Sequence, residues 1–338
     1  MSVEKLKGSR KYCALTKESN DLFFSLVDYR NNLFTSNDPR KIKEFYDGFH
    51  SRDELIEWMK ERPKGVSYIH EVDGDKKIIV VIPTADFNGK YAKECRDNIF
   101  KGLHMIFVES GEIPDSYFNY AHNCNFGIKK AMEYNPKWVV LSNDDMYKID
   151  NVDVLKEQLR NIEEKHYNIV FTKPSKYHSK LHRIIRVNSR YNLFQLIKNK
   201  YAGRTRVEIY KKFEIRFIYM ESKYALIFSF PRQGYPFKQV LDFIILSRRF
   251  VEQAMGNIFD ETYINEGEDS DLSFRISLKN EKFAIIDYKI GDYIGSTIGP
   301  TDMGRWLREA AGTCYFNFKW EKELQKLVFR KPQSEPFL

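Results

Sequence analysis

The chain has 338 residues, 42% of them hydrophobic and 15% aromatic, which is enough to bury a large core with additions. Its net charge of +8 is unevenly placed: 18 Lys+Arg stand against 4 Asp+Glu between residues 173 and 249, while the rest of the chain holds 37 basic and 43 acidic residues. Four scattered cysteines without a C-x-x-C pair argue against a disulfide framework or a zinc site and fit a reducing compartment, and no apolar run approaches the ~20 residues that cross a bilayer.

Residues 1–75 read as a mostly helical extension. MSVEKLKGSRKY has no apolar signal region, so a cytoplasmic chain is expected. Asp21–Phe34 places apolar residues at roughly helical spacing. Asp38-Pro39 reads as an N-cap with Pro at the first helical position, and Ser51-x-x-Glu54 as a capping box ahead of LIEWM. VDGDK (72–76) is a turn signal.

At Lys77 the texture changes. IIVVIPT (78–84), HMIFVES (104–110) and WVVLSND (138–144) are continuously apolar and β-branched, as strands buried on both faces are. NYAHNCNFGIKKAMEYN (119–135) fits a helix closed by Pro136. Strands alternating with helices predict an α/β sheet with right-handed crossovers. Ligands of such sheets sit at the carboxyl ends of the strands, here Pro83-Thr84, Glu109-Ser110 and Asn143-Asp144-Asp145.

Within the basic segment, LHRIIRVNSRYNLFQLIKNKY (181–201) reads as a basic amphipathic helix and VEIYKKFEIRFIYMES (207–222) as a hairpin strand. A solvated surface explains such a charge run; the alternative is an anionic partner, whether phospholipid headgroups, a phosphorylated acceptor or nucleic acid. Residues 242–280 read as a strand, a helix from about Arg248, a Gly-containing turn, an acidic loop and a second helix. WLREAAGTCYFNFKWEKELQKLVF, within 301–338, reads as helical.

Two acidic stretches carry the chemistry. Asn143-Asp144-Asp145 offers the carboxylates a hard divalent cation takes, and equally suits a capped turn. Glu266-Gly267-Glu268-Asp269-Ser270-Asp271 fits an acidic helix start, and also a general base raised in pKa by its neighbours. Glu109, with Asn119, Asn125 and Gly127 on the following helix, suits contact with a nucleobase or ribose, or ordinary capping and packing.

The order of these pieces resembles glycosyltransferase family 2, and its rhamnosyltransferase-like members most, over about residues 77–297. VVIPT, FVESG, Asn-x-Gly on a helix and VVLSNDDM are weak singly. The specific part is Gly256, Phe259-Asp260-Glu261, then Glu268-Asp269-Ser270-Asp271-Leu272 with Arg275. The resemblance implies a GT-A fold: an α/β, Rossmann-like, mixed central sheet flanked by helices. On that reading 1–75 is a helical extension, 76–300 the transferase domain (76–150 donor half, 170–300 acceptor and catalytic half) and 301–338 a helical tail. It implies an inverting, metal-dependent transfer from a UDP-, GDP- or dTDP-sugar to a glycan, lipid or protein acceptor. Pro83, Thr84, Glu109, Asn125 and Asp144 fall at the donor, and Asp145 with Asp144 on Mn²⁺ or Mg²⁺. Asp269 falls at the base with Glu268 beside it. Asn143 replaces the first carboxylate of the metal motif. KIGDYIGST (289–297) lacks the family's metal-contacting His, and Asp292 is its stand-in. The basic segment then implies an anionic acceptor or peripheral contact with an anionic membrane.

Two other functions fit in part. A nucleotidyltransferase needs a Gly/Arg/Lys-rich loop after the first strand, and ADFNGKYAKECR (85–96) has one glycine, Gly89. A non-catalytic nucleic-acid binder accounts for the basic segment and not for the acidic loop, so nucleic acid is not the expected partner.

Overall fold

The computed structural model describes residues 28–111, 115–163, 165–173, 182–188, 200–222, 235–238, 242–293 and 303–329. Residues 28–34 are helical, followed by α1 (Pro39–Asp47) and α2 (Arg52–Glu61). Both expected caps are present. The Asp38 side chain accepts from the Arg40 N–H with Pro39 opening α1, and Ser51 accepts from Glu54 N–H while the Glu54 carboxylate accepts from His50 N–H at 2.8 Å. Next come β1 (Ser67–Val72), β2 (Asp75–Thr84), α3 (Lys90–Glu94) running into a π-helical turn (Cys95–Ile99), β3 (Leu103–Ser110), α4 (Tyr120–Met132), β4 (Trp138–Ser142), β5 (Met146–Lys148), α5 (Val152–Arg160) and β6 (Ile169–Thr172). The second half holds β7 (His182–Asn188), α6 (Lys200–Lys212), β8 (Phe217–Ser222), β9 (Tyr235–Lys238), β10 (Phe243–Ser247), α7 (Arg248–Gln253), α8 (Glu268–Leu278), β11 (Phe283–Ile286), β12 (Ile290–Asp292), α9 (Met303–Lys319) and α10 (Glu321–Phe329).

Among the described residues the main sheet has seven strands in the order β1-β3-β2-β4-β10-β6-β11. β2 runs parallel to β3 and β4, and β11 parallel to β6; β1 and β10 are antiparallel to their neighbours. The fold is α/β with a mixed sheet. Its central strands are buried on both faces, which is why they read as unbroken apolar runs. One face packs on α4, α7 and α8, the other on the π turn and α5. α4 lies flat on β2 and β3 because Gly127 has no side chain: a Cβ there would stand 2.5 Å from Val81 and 2.7 Å from Val108. A third apolar cluster joins the N-terminal helices, α6 and α9, so the first and last described helices meet.

Three sequence expectations change. Residues 67–72 form an edge strand rather than part of a helical extension: SYIHEV is only half-buried, so its apolar signal is weak. Residues 182–188 are a strand, β7, between β8 and β9 in a separate three-stranded sheet, and not an amphipathic helix; 189–199 lie outside the described residues. Residues 207–212 close helix α6, and the strand starts only at Phe217. In both places a period of two and one near 3.6 fit a short mixed run equally well.

No helix among the described residues is long and apolar enough to cross a membrane. Much of the basic segment lies outside the described residues. Within it, Arg206 bonds to Glu309 at 3.2 Å, Lys212 to the backbone carbonyls of Tyr46 and Asp47, Arg248 to Glu252 at 2.6 Å and Arg249 to Asn168 at 2.6 Å. Part of the basicity therefore serves internal contacts.

Candidate functional site

The three expected strand ends converge, since β2, β3 and β4 are parallel neighbours and stop at Thr84, Ser110 and Ser142. Thr84 and Asp144 are joined directly: the Thr84 hydroxyl donates to Asp144 Oδ2 at 2.7 Å, both residues being buried. Pro83 precedes Thr84 on β2, paired with Val108 of β3. Beneath the turn, the Cys95 thiol donates to the Asp144 carbonyl at 3.3 Å from the π turn, a helical irregularity common at functional sites.

Asp145 and Asp292 meet through a two-stranded ladder. β5 and β12 pair antiparallel with Asp292 opposite Met146, and the Tyr293 N–H donates to the Asp145 carbonyl at 2.9 Å. Gly291 lies opposite Tyr147 and leaves the space that ring occupies, where a Cβ would sit 2.1 Å from the ring's far end. The Tyr147 ring packs on exposed Tyr293 at 4.8 Å, and Tyr293 on Tyr91 at 6.1 Å. An aromatic wall thus stands beside the two aspartates.

A further carboxylate was missed in the sequence. Asp242 arrives at the start of β10, which runs antiparallel between β4 and β6 and so brings its first residue to the edge where the parallel strands end. Burial, then Asp292, Asp269 and Asp145, push the Asp242 carboxyl up to about 6. Asp242 therefore lies within electrostatic reach of all three. The only sequence signal was a lone acid before an apolar strand.

The acidic loop becomes the first turn of α8, with Glu268, Asp269 and Asp271 favoured there by the helix dipole. Gly267 precedes it at φ 102°, a left-handed conformation that glycine adopts freely. The four carboxylates have separate surroundings. Asp271 is buried and accepts from Lys319 at 2.9 Å, Trp320 Nε1 at 2.8 Å and the Tyr263 hydroxyl at 3.2 Å, so it anchors the helix. Glu268 is also buried; loss of solvent and the nearby Asp269 hold it well above the usual carboxylate range, and its Oε2 has no hydrogen-bond partner among the described residues. Burial lifts Glu266 to about 7 even with Arg305 Nε at 2.5 Å. Asp269 is half-buried, with Oδ1 accepting from Ser270 N–H at 2.6 Å.

Two expected donor contacts have other duties. Asn125 is fully buried. Its Nδ2 donates to the Phe259 carbonyl at 2.9 Å and to Glu261 at 3.0 Å, and its Oδ1 accepts from Phe259 N–H at 3.0 Å. Those bonds engage both ends of the amide, so Asn125 docks the 257–261 loop on α4. Asn119 caps α4 and holds the same loop through the carbonyls of Glu261 and Tyr263. Glu109 ties the loop after β2 to the sheet: Oε1 accepts from Phe87 N–H at 2.9 Å and Oε2 meets His70 Nε2 at 2.7 Å. His70 stacks on Phe87 at 4.3 Å, and the Arg96 guanidinium lies 4.7 Å from the same ring.

No family model and no curated sequence matches this chain.

Asp144, Asp145, Asp242 and Asp292 offer hard carboxylate oxygens, the donor set suited to Mg²⁺ or Mn²⁺ rather than to metals that favour sulfur or imidazole. Among the described residues no three His, Cys, Asp or Glu side chains stand at ready-made coordinating spacing.

Proposed function

We propose that this protein is an inverting glycosyltransferase of GT-A architecture, which moves a sugar from a nucleoside-diphosphate sugar to an acceptor hydroxyl with the help of Mn²⁺ or Mg²⁺. The observation that carries the reading is that Asp145, Asp269 and Asp292, remote from one another in sequence, all lie close enough to Asp242 to act on its carboxyl at one edge of the sheet. A bound cation with its diphosphate would offset the mutual repulsion of these carboxylates. Asp145, Asp144 and Asp292 would hold the metal, and Thr84 fixes Asp144 through its hydrogen bond. When bound, the cation stabilises charge on the leaving nucleoside diphosphate.

Asp269 is the base of the pair on α8. Glu268 is buried, and loss of solvent favours its protonated form, so half-buried Asp269 beside it is the better placed of the two to take a proton. Asp269 removes the acceptor hydroxyl proton as that oxygen bonds to the anomeric carbon, and the bond from that carbon to the diphosphate oxygen breaks on the opposite face. The Tyr91–Tyr147–Tyr293 wall offers ring faces against which a sugar packs.

A thermal-shift screen of UDP-, GDP- and dTDP-sugars with and without Mn²⁺ tests the donor, since a ligand that binds only the native state raises the melting temperature. One nucleotide sugar is expected to stabilise the protein only when Mn²⁺ is present. In the transfer assay that follows, Asp145→Ala and Asp269→Asn are each expected to lose activity by at least about 100-fold with folding retained. Full activity in either removes the role given to that residue. Release of diphosphate from a nucleoside triphosphate would overturn the reading in favour of nucleotidyl transfer.

A further inference from the structure

Asn143 stands beside Asp144 and Asp145 where a third carboxylate was expected, and its partners account for the amide. Its Oδ1 accepts the Tyr120 hydroxyl at 2.8 Å, its Nδ2 donates to Asp242 Oδ1 at 3.2 Å, and its backbone N–H donates to the Asp242 carbonyl at 2.9 Å. Tyr120 is a phenol held protonated by its surroundings, so it supplies a proton to this chain of bonds. Asp242 is an acceptor at the other end. A side chain between them must accept on one side and donate on the other. An amide does both; an ionised carboxylate can only accept.

We propose that Asn143 is a positioning residue that aims the Asp242 carboxylate at the Asp145–Asp292 side of the crevice, so that β10 supplies the negative charge residue 143 lacks. The charge of the acidic motif is thereby divided between two strands, β4 and β10, that are neighbours in the sheet and far apart in sequence. A carboxylate at position 143 would set two carboxylate oxygens against each other where one hydrogen bond of 3.2 Å now stands. The two views of residue 143 then make opposite forecasts. If it were a ligand position weakened by Asn, Asn143→Asp would tighten metal binding. If it is a bridge, the same change loosens metal binding and destabilises the protein. The value of the aimed charge rests on the proposed function; the bridge itself does not.

The experiment compares the full chain with Asn143→Asp, Asp242→Asn and the double variant, reading melting temperature without metal and Mn²⁺ affinity from the paramagnetic resonance of free Mn²⁺. Asn143→Asp is expected to melt lower and to bind Mn²⁺ at least about tenfold more weakly although it adds a carboxylate. The double variant keeps one amide and one carboxylate with their positions exchanged. The carboxylate on β4's side then accepts from both the Tyr120 hydroxyl and the amide on β10's side, and the lost melting temperature is expected to return. Equal or tighter Mn²⁺ binding by Asn143→Asp overturns the proposal, as do single-variant melting losses that merely add in the double variant. If Asn143→Asp does not fold, Tyr120→Phe takes its place: it frees the amide to turn, so Mn²⁺ binding weakens, and unchanged affinity overturns the proposal. A wild-type chain that binds no Mn²⁺ removes the metal-dependent function, while the melting temperatures still decide the bridge.

Discussion

Lys319 shows how a single side chain supports the acidic turn from below. Its ammonium bonds Asp260 at 2.7 Å and Asp271 at 2.9 Å, linking the Phe-Asp-Glu loop to α8. Lys319→Met is expected to cost about 2–3 kcal/mol, below the full loss for a broken buried pair because Asp271 keeps Trp320 and Tyr263. Urea unfolding measures it, and a loss under about 0.5 kcal/mol contradicts the role. Glu266 gives a pH signature. Its raised value, about 7, means the folded chain binds this proton more tightly than the unfolded chain does, in a setting that includes Arg305, Glu309 and Asp269. The stability it adds is complete below its unfolded pKa and is lost as pH rises through about 7. The wild type is therefore expected to lose stability relative to Glu266→Gln between about pH 5 and about pH 8; parallel pH curves count against it. Thr84, Asp144 and Asp145 were legible because strand texture placed them at strand ends. Asp242 and the duty of Asn125 were not, because each is defined by partners on elements remote in sequence.

Close approach governs the way the elements assemble. Gly127 allows α4 to rest on β2 and β3, and Gly312 of α9 allows the Glu266 carbonyl to pass where a Cβ would be 2.1 Å away. Helix propensity alone favours Gly→Ala by about 1 kcal/mol. Overpacking against Val81 and Val108 opposes it by about 1–3 kcal/mol. Gly127→Ala is thus expected to lower the melting temperature, and a rise would mean that α4 can shift at no cost. The buried parallel strands were legible as apolar runs, as were the capped helices and the helix–turn–helix run after β10. β1 and β7 were not. An edge strand with one half-exposed face loses the continuous apolar signal, and the strand fate of β7 is fixed by its pairing with β8 and β9.

At the scale of the whole molecule, the N-terminal helices and α9 act as one buttress. Phe34, Phe45 and Trp58 pack with Leu307, Ala311 and Phe316, and the buried Arg62 at the end of α2 donates to Asn31 at 2.8 Å and to the Ser116 carbonyl at 2.7 Å just ahead of α4. Deleting residues 1–61 is expected to expose this cluster and to lower the melting temperature by more than any point change above, with dye binding to apolar surface as the second measure. A deletion variant that melts like the intact chain would make the buttress dispensable.

The placement of β10 has one more consequence. β6 stops at Thr172 and β10 starts at Phe243, and the two strands are antiparallel neighbours. Residues 173–242 therefore leave the sheet and return to it at a single rim, the rim that carries Asp145, Asp242 and Asp292. This is the geometry of an inserted module, tied to the rest of the chain where α6 packs with the N-terminal helices and α9. Lengthening such a module costs little, about 0.6 kcal/mol of closure entropy for each doubling, and leaves the strand register intact. Changes of length inside the insert therefore leave Asp145 and Asp292 where the β5–β12 ladder holds them.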